Sequence, residues 1–138
     1  MNNQYRTNRH SCFQLTYHLV VVTKYRNKVI NQDILNTLKD IAKNIFETSY
    51  SCTIIEINGE ADHLHILFEA PPQVQLSKLV NSFKTVSSRL IRKNFAVHLA
   101  PFYWRPYFWS QSYLILSTGG APIDIIKKYI EEQSTPRE

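Results

Sequence analysis

The 138-residue sequence predicts an α+β fold, with a four-stranded antiparallel sheet, helices on one face and a further helix at the end of the chain. Segments of strand composition alternate with segments of helical periodicity in the order strand, helix, strand, strand, helix, strand, helix. The chain has the length of one compact domain, and 3 Gly and 6 Pro leave little material for linkers. We therefore expect a single domain over residues 1–138.

The first two elements are a strand and a helix. Residues 13–25 are rich in Val, Thr, Tyr and Phe, which is typical of a strand. Residues 31–50 carry apolar side chains at helical spacing, and Asn31 precedes them as an N-cap. The sequence therefore predicts a strand followed directly by an amphipathic helix.

The next two elements are both strands. Residues 52–58 and 63–70 are rich in β-branched and apolar residues, and a pair of prolines ends the second segment. The Asn58-Gly59 dipeptide between them predicts a tight turn. We expect an antiparallel pair of neighbouring strands.

The second half repeats the helix–strand alternation and adds the final helix. Residues 76–95 predict a helix, residues 112–118 a strand and residues 122–133 a helix with Pro in its first turn. The first six elements have the βαββαβ order of a ferredoxin-like fold. Because this fold supports many functions, the function has to be argued from particular sites.

The charge is unevenly distributed along the chain. Residues 1–30 hold five basic and no acidic side chains, and residues 71–110 hold six basic and none acidic. The intervening residues 31–70 hold seven acidic and two basic side chains. This asymmetry indicates a one-sided basic surface for a polyanion, although chance segregation of charge is an alternative interpretation. On the predicted helix 76–95, the outward face carries Lys78, Arg89, Arg92 and Lys93.

Several classes of protein are excluded by composition. Two cysteines cannot build a disulfide scaffold or a zinc knuckle. No stretch of about 18 apolar residues predicts a membrane span, and no signal-peptide pattern precedes the first strand. We expect a soluble cytoplasmic protein with no membrane partner.

A His-x-His pattern begins the third predicted strand. Alternate residues of a strand share a face, so His63 and His65 point to the same side and Leu64 to the other. Two imidazoles on one face can bind a divalent metal. The alternative is a pair of polar residues on a half-exposed sheet face.

The final helix places a phenol and an amide on one face. Tyr129 and Gln133 are four residues apart and lie on the side that should be buried. The functional interpretation is a nucleophile beside a metal ligand, and the alternative is a core tyrosine with a polar residue at a helix end. Gly119 and Gly120 precede this helix and can act as a hinge or as an ordinary tight turn.

The segment 101–109 contains six aromatic residues and two prolines, together with Arg105 and no acidic residue. Aromatic side chains next to a basic one can stack on unpaired bases. The alternative is an aromatic lid over the core. The segment alone does not distinguish these two roles.

Taken together, these motifs resemble the single-tyrosine transposases of small bacterial insertion sequences, which belong to the superfamily named for its His-hydrophobic-His motif. The resemblance covers residues 12–133 and is carried by motifs in the family's order and spacing. They are Tyr17-His18-Leu19-Val20, Asp62-His63-Leu64-His65, Ser87-Ser88-Arg89, Trp109-Ser110-Gln111-Ser112-Tyr113, Gly119-Gly120-Ala121-Pro122 and Tyr129 with Gln133. Gln111 departs from the family, in which Pro is frequent at that position.

The resemblance implies a site and a reaction. His63, His65 and Gln133 would bind Mg²⁺ or Mn²⁺, and Tyr129 would attack a scissile phosphate to leave a 3′-hydroxyl and a 5′-phosphotyrosine. The substrate would be single-stranded DNA with hairpin ends, and the protein a homodimer that can exchange its last helices about Gly119-Gly120. The basic side chains expected to contact DNA are Lys78, Lys84, Arg89, Arg92, Lys93 and Arg105.

Two other functions remain open at this point. A non-catalytic ferredoxin-like protein that binds single-stranded nucleic acid needs only the basic face and the aromatic residues. A domesticated relative that cleaves repeated hairpins needs the same chemistry as a transposase. The His-x-His, Tyr and Gln residues favour a transposase over the non-catalytic binding protein. They do not distinguish a transposase from a domesticated relative, which would use the same residues.

Overall fold

The computed structural model describes residues 15–117 and 123–133, together with the short strands at residues 6–7 and 12–13. The Gly119-Gly120 pair, interpreted above as a hinge, lies outside the described residues. No helix among the described residues is long and apolar enough to cross a membrane.

The strands form two sheets. The short strands β1 (Arg6–Thr7) and β2 (Cys12–Phe13) pair with each other and were not predicted. The main sheet contains β3 (Thr16–Val22), β4 (Thr53–Glu60), β5 (His63–Glu69) and β6 (Leu114–Ser117). Its order is β4-β5-β3-β6 with antiparallel pairing throughout, so the first and third predicted strands are central neighbours. This order confirms the ferredoxin-like core.

The helices follow the prediction closely. They are α1 (Gln32–Ala42), α2 (Leu76–Asn94), α3 (Ala96–Leu99) and α4 (Ile123–Glu132). A π-helical turn over Lys43–Ser49 extends α1. Asn31 caps α1 as expected, because its Oδ1 accepts a hydrogen bond of 2.8 Å from the backbone N–H of Ile34. The four-residue helix α3 was not predicted.

The core lies between α1, α2 and one face of the sheet. Along β5, the completely buried Leu64, Ile66 and Phe68 alternate with half-buried residues. Phe46, which follows α1, packs edge-on against Phe68 and Phe83 with ring centroids 4.9 and 5.8 Å apart. The His-x-His side chains therefore lie on the opposite face of β5 from this core.

The predicted turn at Asn58-Gly59 is wrong. Both residues lie inside β4, and the chain turns at Ala61-Asp62 instead. A Cβ on Gly59 would come within 2.8 Å of the Leu35 Cδ1 atom in α1. The glycine is therefore required by a close approach between helix and strand, and not by a turn.

The first strand ends three residues earlier than predicted. The chain leaves β3 at Val22 and makes a tight turn over Lys24–Arg26, where Tyr25 and Arg26 have positive φ angles of 61° and 56°. Thr23 holds this turn against the β4–β5 connection, since its backbone N–H donates to the Asp62 carbonyl over 3.0 Å. The turn thereby brings Arg26 to the start of β5.

Candidate active site

The two histidines of β5 lie on the face of the sheet opposite to α1 and α2. His63 and His65 are half-buried and alternate with the buried Leu64 and Ile66. In the antiparallel register, His63 lies opposite Val22 and His65 opposite Val20 of β3. The two imidazoles therefore lie on the same side of β5, as the alternation of residues along a strand predicts.

A carboxylate orients the first histidine. The Nδ1 atom of His63 lies 2.9 Å from Oδ1 of Asp62, and Oδ2 of Asp62 lies 3.4 Å from Nε of Arg26. With its proton on Nδ1, His63 donates to the carboxylate and leaves the lone pair of Nε2 free. This carboxylate–histidine arrangement is typical of metal-binding imidazoles.

A third histidine contacts the second one. The Nδ1 atom of His18 lies 2.7 Å from Nε2 of His65, and the two rings are stacked with centroids 4.9 Å apart. Burial, followed by the nearby His18, lowers the pKa of His65, so this imidazole is neutral at neutral pH. Sequence reasoning assigned His18 no partner. The pairing of the first with the third strand in a ferredoxin-like sheet is the signal that could have found it.

The predicted nucleophile and the predicted amide ligand meet at one serine. The phenolic oxygen of Tyr129 lies 3.0 Å from Oγ of Ser112, and the same hydroxyl donates to Oε1 of Gln133 over 3.1 Å. Burial raises the pKa of Tyr129, and its hydrogen bond with Ser112 works in the opposite direction. The Tyr129 and Gln133 side chains therefore share one face of α4, as their spacing predicts. Ser112 is part of the family motif Trp109-Ser110-Gln111-Ser112-Tyr113, but the sequence alone predicted no role for it.

α4 is tied to the histidine region by an arginine. Nη1 of Arg26 donates to the carbonyl oxygen of Glu131 over 3.4 Å, while Nε of the same guanidinium contacts Asp62. One side chain thus touches both the helix that carries Tyr129 and the carboxylate that orients His63. This contact places the end of α4 beside the start of β5.

The side chain of Lys84 is used inside the chain. Its Nζ atom donates to the carbonyl oxygens of Ser110, Gln111 and Ser112 over 2.8, 3.0 and 3.2 Å. Burial lowers the pKa of Lys84. Its contact with DNA remains a prediction, because the three protons of the ammonium already have acceptors in the loop before β6.

The other predicted DNA-binding residues lie at the surface. Lys78, Arg89, Lys93 and Arg105 are exposed, and half-buried Arg92 donates from Nε to the Ser88 hydroxyl over 3.2 Å. The aromatic segment 101–109 divides into two parts. Tyr103, Phe108 and Trp109 are buried in the core, whereas Trp104 is 82% exposed with the Arg105 guanidinium stacked 4.6 Å from its ring centroid.

The donors available for a metal are two imidazoles and an amide. No cluster of three or more His, Cys, Asp or Glu side chains suited to a metal ion occurs in the part of the chain that the structure describes. The Gln133 amide oxygen, which the sequence predicts as the third ligand, lies against Ser112 in this structure. Nε2 of the oriented His63 is available to a divalent cation, whereas Nε2 of the neutral His65 is hydrogen-bonded to His18, which a cation bound at that nitrogen would displace.

Comparison with known proteins gives one consistent family. Residues 11–133 match the model of the family described as "Transposase IS200 like". The ISDra2 transposase TnpA of Deinococcus radiodurans is 32% identical over 121 residues, which are 88% of this chain and 85% of the relative. The transposase for insertion sequence element IS200 of Salmonella typhimurium is 28% identical over 124 residues, 90% of this chain and 80% of the relative.

Solved structures agree with this similarity. A crystal structure of a Deinococcus radiodurans protein described as a transposase superposes with a TM-score of 0.84 and 28% identity, covering 95% of this chain and 99% of that one. A tyrosine transposase bound to a REP hairpin gives a TM-score of 0.56 at 10% identity, over 91% of this chain and 68% of that one. The second similarity concerns the fold alone.

Proposed function

This chain belongs to the IS200-like transposase family, and from that premise we propose that it cleaves and rejoins single-stranded DNA at insertion-sequence ends through a phosphotyrosine on Tyr129. The observation that carries the proposal is the convergence of Tyr129 and Gln133 on Ser112. Arg26 links the same helix to Asp62, beside the His-x-His strand. These contacts support the proposal because they bring Tyr129 and Gln133 to the same region of the fold as the two imidazoles.

The proposed step exchanges one phosphate ester for another. The Tyr129 oxygen forms a bond to phosphorus, the bond from phosphorus to the 3′-oxygen breaks, and the phenolic proton ends on that 3′-oxygen. The products are a free 3′-hydroxyl and a 5′-phosphotyrosine. Because the ester is retained, attack by another 3′-hydroxyl reverses the step and joins a different strand.

The resident metal of the proposed site is Mg²⁺ or Mn²⁺. His63, His65 and Gln133 would hold it, and when bound it supplies a Lewis acid that stabilises negative charge on the scissile phosphate. Asp62 holds His63 in the tautomer that keeps Nε2 free. Burial of His65 keeps the second imidazole neutral.

The partner we propose is single-stranded DNA with folded hairpin ends. The exposed basic side chains of α2 would contact phosphates, and Trp104 with Arg105 offers a surface on which an unpaired base can stack. Since each chain brings one tyrosine in α4, two cleavages call for two chains, and we propose a homodimer with Gly119-Gly120 as the hinge of the last helix.

The first experiment looks for the covalent intermediate. We expect a labelled library of single-stranded hairpin oligonucleotides to give a protein–DNA band on a denaturing gel in Mn²⁺, and no band with Tyr129→Phe or with EDTA. Tyr50→Phe is the matched control, because its hydroxyl donates to the Lys78 carbonyl, away from α4. The control should give the wild-type band.

Two results would contradict the proposal. A band that persists with Tyr129→Phe would place the nucleophile elsewhere. Binding that weakens with salt, but with no band for any oligonucleotide or metal, would favour the non-catalytic nucleic-acid-binding alternative. A domesticated relative would give the same band as a transposase and differ only in the hairpins it cleaves.

A further inference from the structure

Ser112 contacts both Tyr129 in α4 and Gln133, the residue that directly follows α4. Its hydroxyl lies 3.0 Å from the Tyr129 phenol and 3.1 Å from the Gln133 amide oxygen. Arg26 donates a further hydrogen bond to the helix, at the Glu131 carbonyl. The Ser112 hydroxyl therefore links the Tyr129 and Gln133 side chains to each other and to the loop before β6.

The direction of these hydrogen bonds follows from the groups involved. The Gln133 carbonyl oxygen only accepts, so the single Ser112 proton points to Gln133. The Ser112 oxygen must then accept from Tyr129, which donates as a neutral phenol. The chain of donors ends on an amide oxygen, which is not a base. In this arrangement the Tyr129 phenol keeps its proton, and the Gln133 amide oxygen is occupied by its hydrogen bond from Ser112.

The loop that carries Ser112 is anchored to the core. Lys84, in the middle of α2, donates to the carbonyls of Ser110, Gln111 and Ser112. Immediately before this loop, the indole N–H of Trp109 donates to the buried Ser87 hydroxyl over 2.9 Å. Ser112 is thus held by α2 on one side, and α4 is attached to it on the other.

We propose that Ser112 is a positioning residue that holds Tyr129 and Gln133 together in a resting arrangement and releases both when DNA and metal engage them. The proposal rests on the proposed function for its role in the reaction. The Ser112 hydroxyl couples the position of the proposed nucleophile to that of the proposed metal ligand, because it contacts both side chains. Removing that hydroxyl frees α4 and the Gln133 amide oxygen at the same time.

The first test measures how firmly α4 is attached. Hydrogen exchange of the α4 amides is followed by mass spectrometry on the full chain without metal or DNA. Ser112→Ala should raise the α4 exchange rate about tenfold, since two hydrogen bonds are lost, and Ser112→Thr should restore a rate close to wild type. Exchange at the wild-type rate in Ser112→Ala would overturn the proposal.

The chain offers a matched control two residues away. The Ser110 hydroxyl is buried and has no hydrogen-bond partner in the described part of the structure. Ser110→Ala therefore removes a hydroxyl from the same loop without touching α4, and we expect unchanged exchange of α4. Equal acceleration by Ser110→Ala would mean that loop packing, and not the Ser112 hydroxyl, attaches the helix.

The second test measures Mn²⁺ binding by electron paramagnetic resonance without DNA. Ser112→Ala should bind Mn²⁺ about three- to tenfold more tightly, because the Gln133 oxygen no longer has to leave a hydrogen bond. In a Gln133→Ala background, Ser112→Ala should make no difference. Unchanged or weaker binding by Ser112→Ala alone would contradict release of the ligand.

These readouts separate the two proposals. An absent covalent band would refute the proposed reaction while leaving the exchange result on Ser112 intact. Absent Mn²⁺ binding in all variants would refute the proposed metal site, and the α4 exchange rates would then decide the role of Ser112. A Tyr129-dependent band together with wild-type exchange in Ser112→Ala would refute the positioning role alone.

Discussion

At the scale of single residues, Ser87 shows how a buried hydroxyl joins two distant parts of the chain. Its Oγ atom donates to the Phe83 carbonyl over 2.6 Å and accepts from the Trp109 indole over 2.9 Å. Ser87 is completely buried and Trp109 nearly so. This pair attaches the loop before β6 to α2, directly ahead of the residues that Lys84 and Ser112 organise.

Ser87→Ala should destabilise the protein, although it removes only one hydroxyl group. The substitution leaves the buried Trp109 N–H without its acceptor, which costs about 1–3 kcal/mol in the free energy of unfolding. Urea unfolding followed by tryptophan fluorescence measures the loss. Ser88→Ala is the neighbouring control, since that half-buried residue serves the Arg92 side chain at the surface. Equal midpoints for the two variants would contradict the assigned role of Ser87.

At the scale of elements, the helices and strands are terminated by local interactions that the sequence displays. Asn31 caps α1 through the Ile34 N–H, and apolar periodicity continues through Phe46 into the core. In contrast, the end of β4 depends on packing, because Gly59 passes beneath Leu35 and continues the strand. At Gly59 the local turn signal is therefore overridden by a close tertiary approach that also requires glycine.

Asn31→Ala should lower the free energy of unfolding by about 1 kcal/mol, because the Ile34 N–H loses its side-chain acceptor. Urea titration followed by circular dichroism at 222 nm measures the change. Asn44→Ala removes an exposed asparagine from the turn that extends α1 and serves as the control. A cap role is refuted if both alanine variants unfold at the wild-type midpoint.

At the scale of the whole molecule, the solvent-facing side of α2 is basic. The net charge is +5, and α2 presents Lys78, Arg89 and Lys93 to solvent while its opposite side packs in the core. The acidic residues of the chain concentrate in residues 31–70. A strand of DNA on the α2 face would therefore meet several cations, and its affinity would depend on salt through counterion release.

Neutralising two of these cations should change the salt dependence of binding as well as its strength. For Arg89→Gln with Lys93→Gln, the slope of log affinity against log salt should become shallower by about 1.4, since each phosphate contact on a single strand contributes about 0.7. Fluorescence anisotropy with Tyr129→Phe in EDTA measures binding without cleavage. Lys39→Gln with Lys43→Gln removes the same charge from α1 and the turn that extends it, and should leave the slope nearly unchanged. Equal changes in both pairs would indicate an effect of net charge alone.

By itself, the sequence determined the order of the elements, the common face of His63 and His65, and the common face of Tyr129 and Gln133. These features follow from the periods of strand and helix, which act between residues close together in the chain. The membership of the family also followed from the sequence, because its motifs keep their order and spacing over nearly the whole chain.

Only the tertiary structure decided which of these residues meet. The contact between His18 and His65, separated by 47 residues, depends on the pairing of β3 with β5, and the contacts of Ser112 with Tyr129 and Gln133 depend on where α4 docks. Lys84 was placed with the DNA-binding cations by its charge, whereas its burial directs it to three carbonyls. Strand order, helix docking and burial are set by packing over the whole chain, and local periodicity carries no information about them.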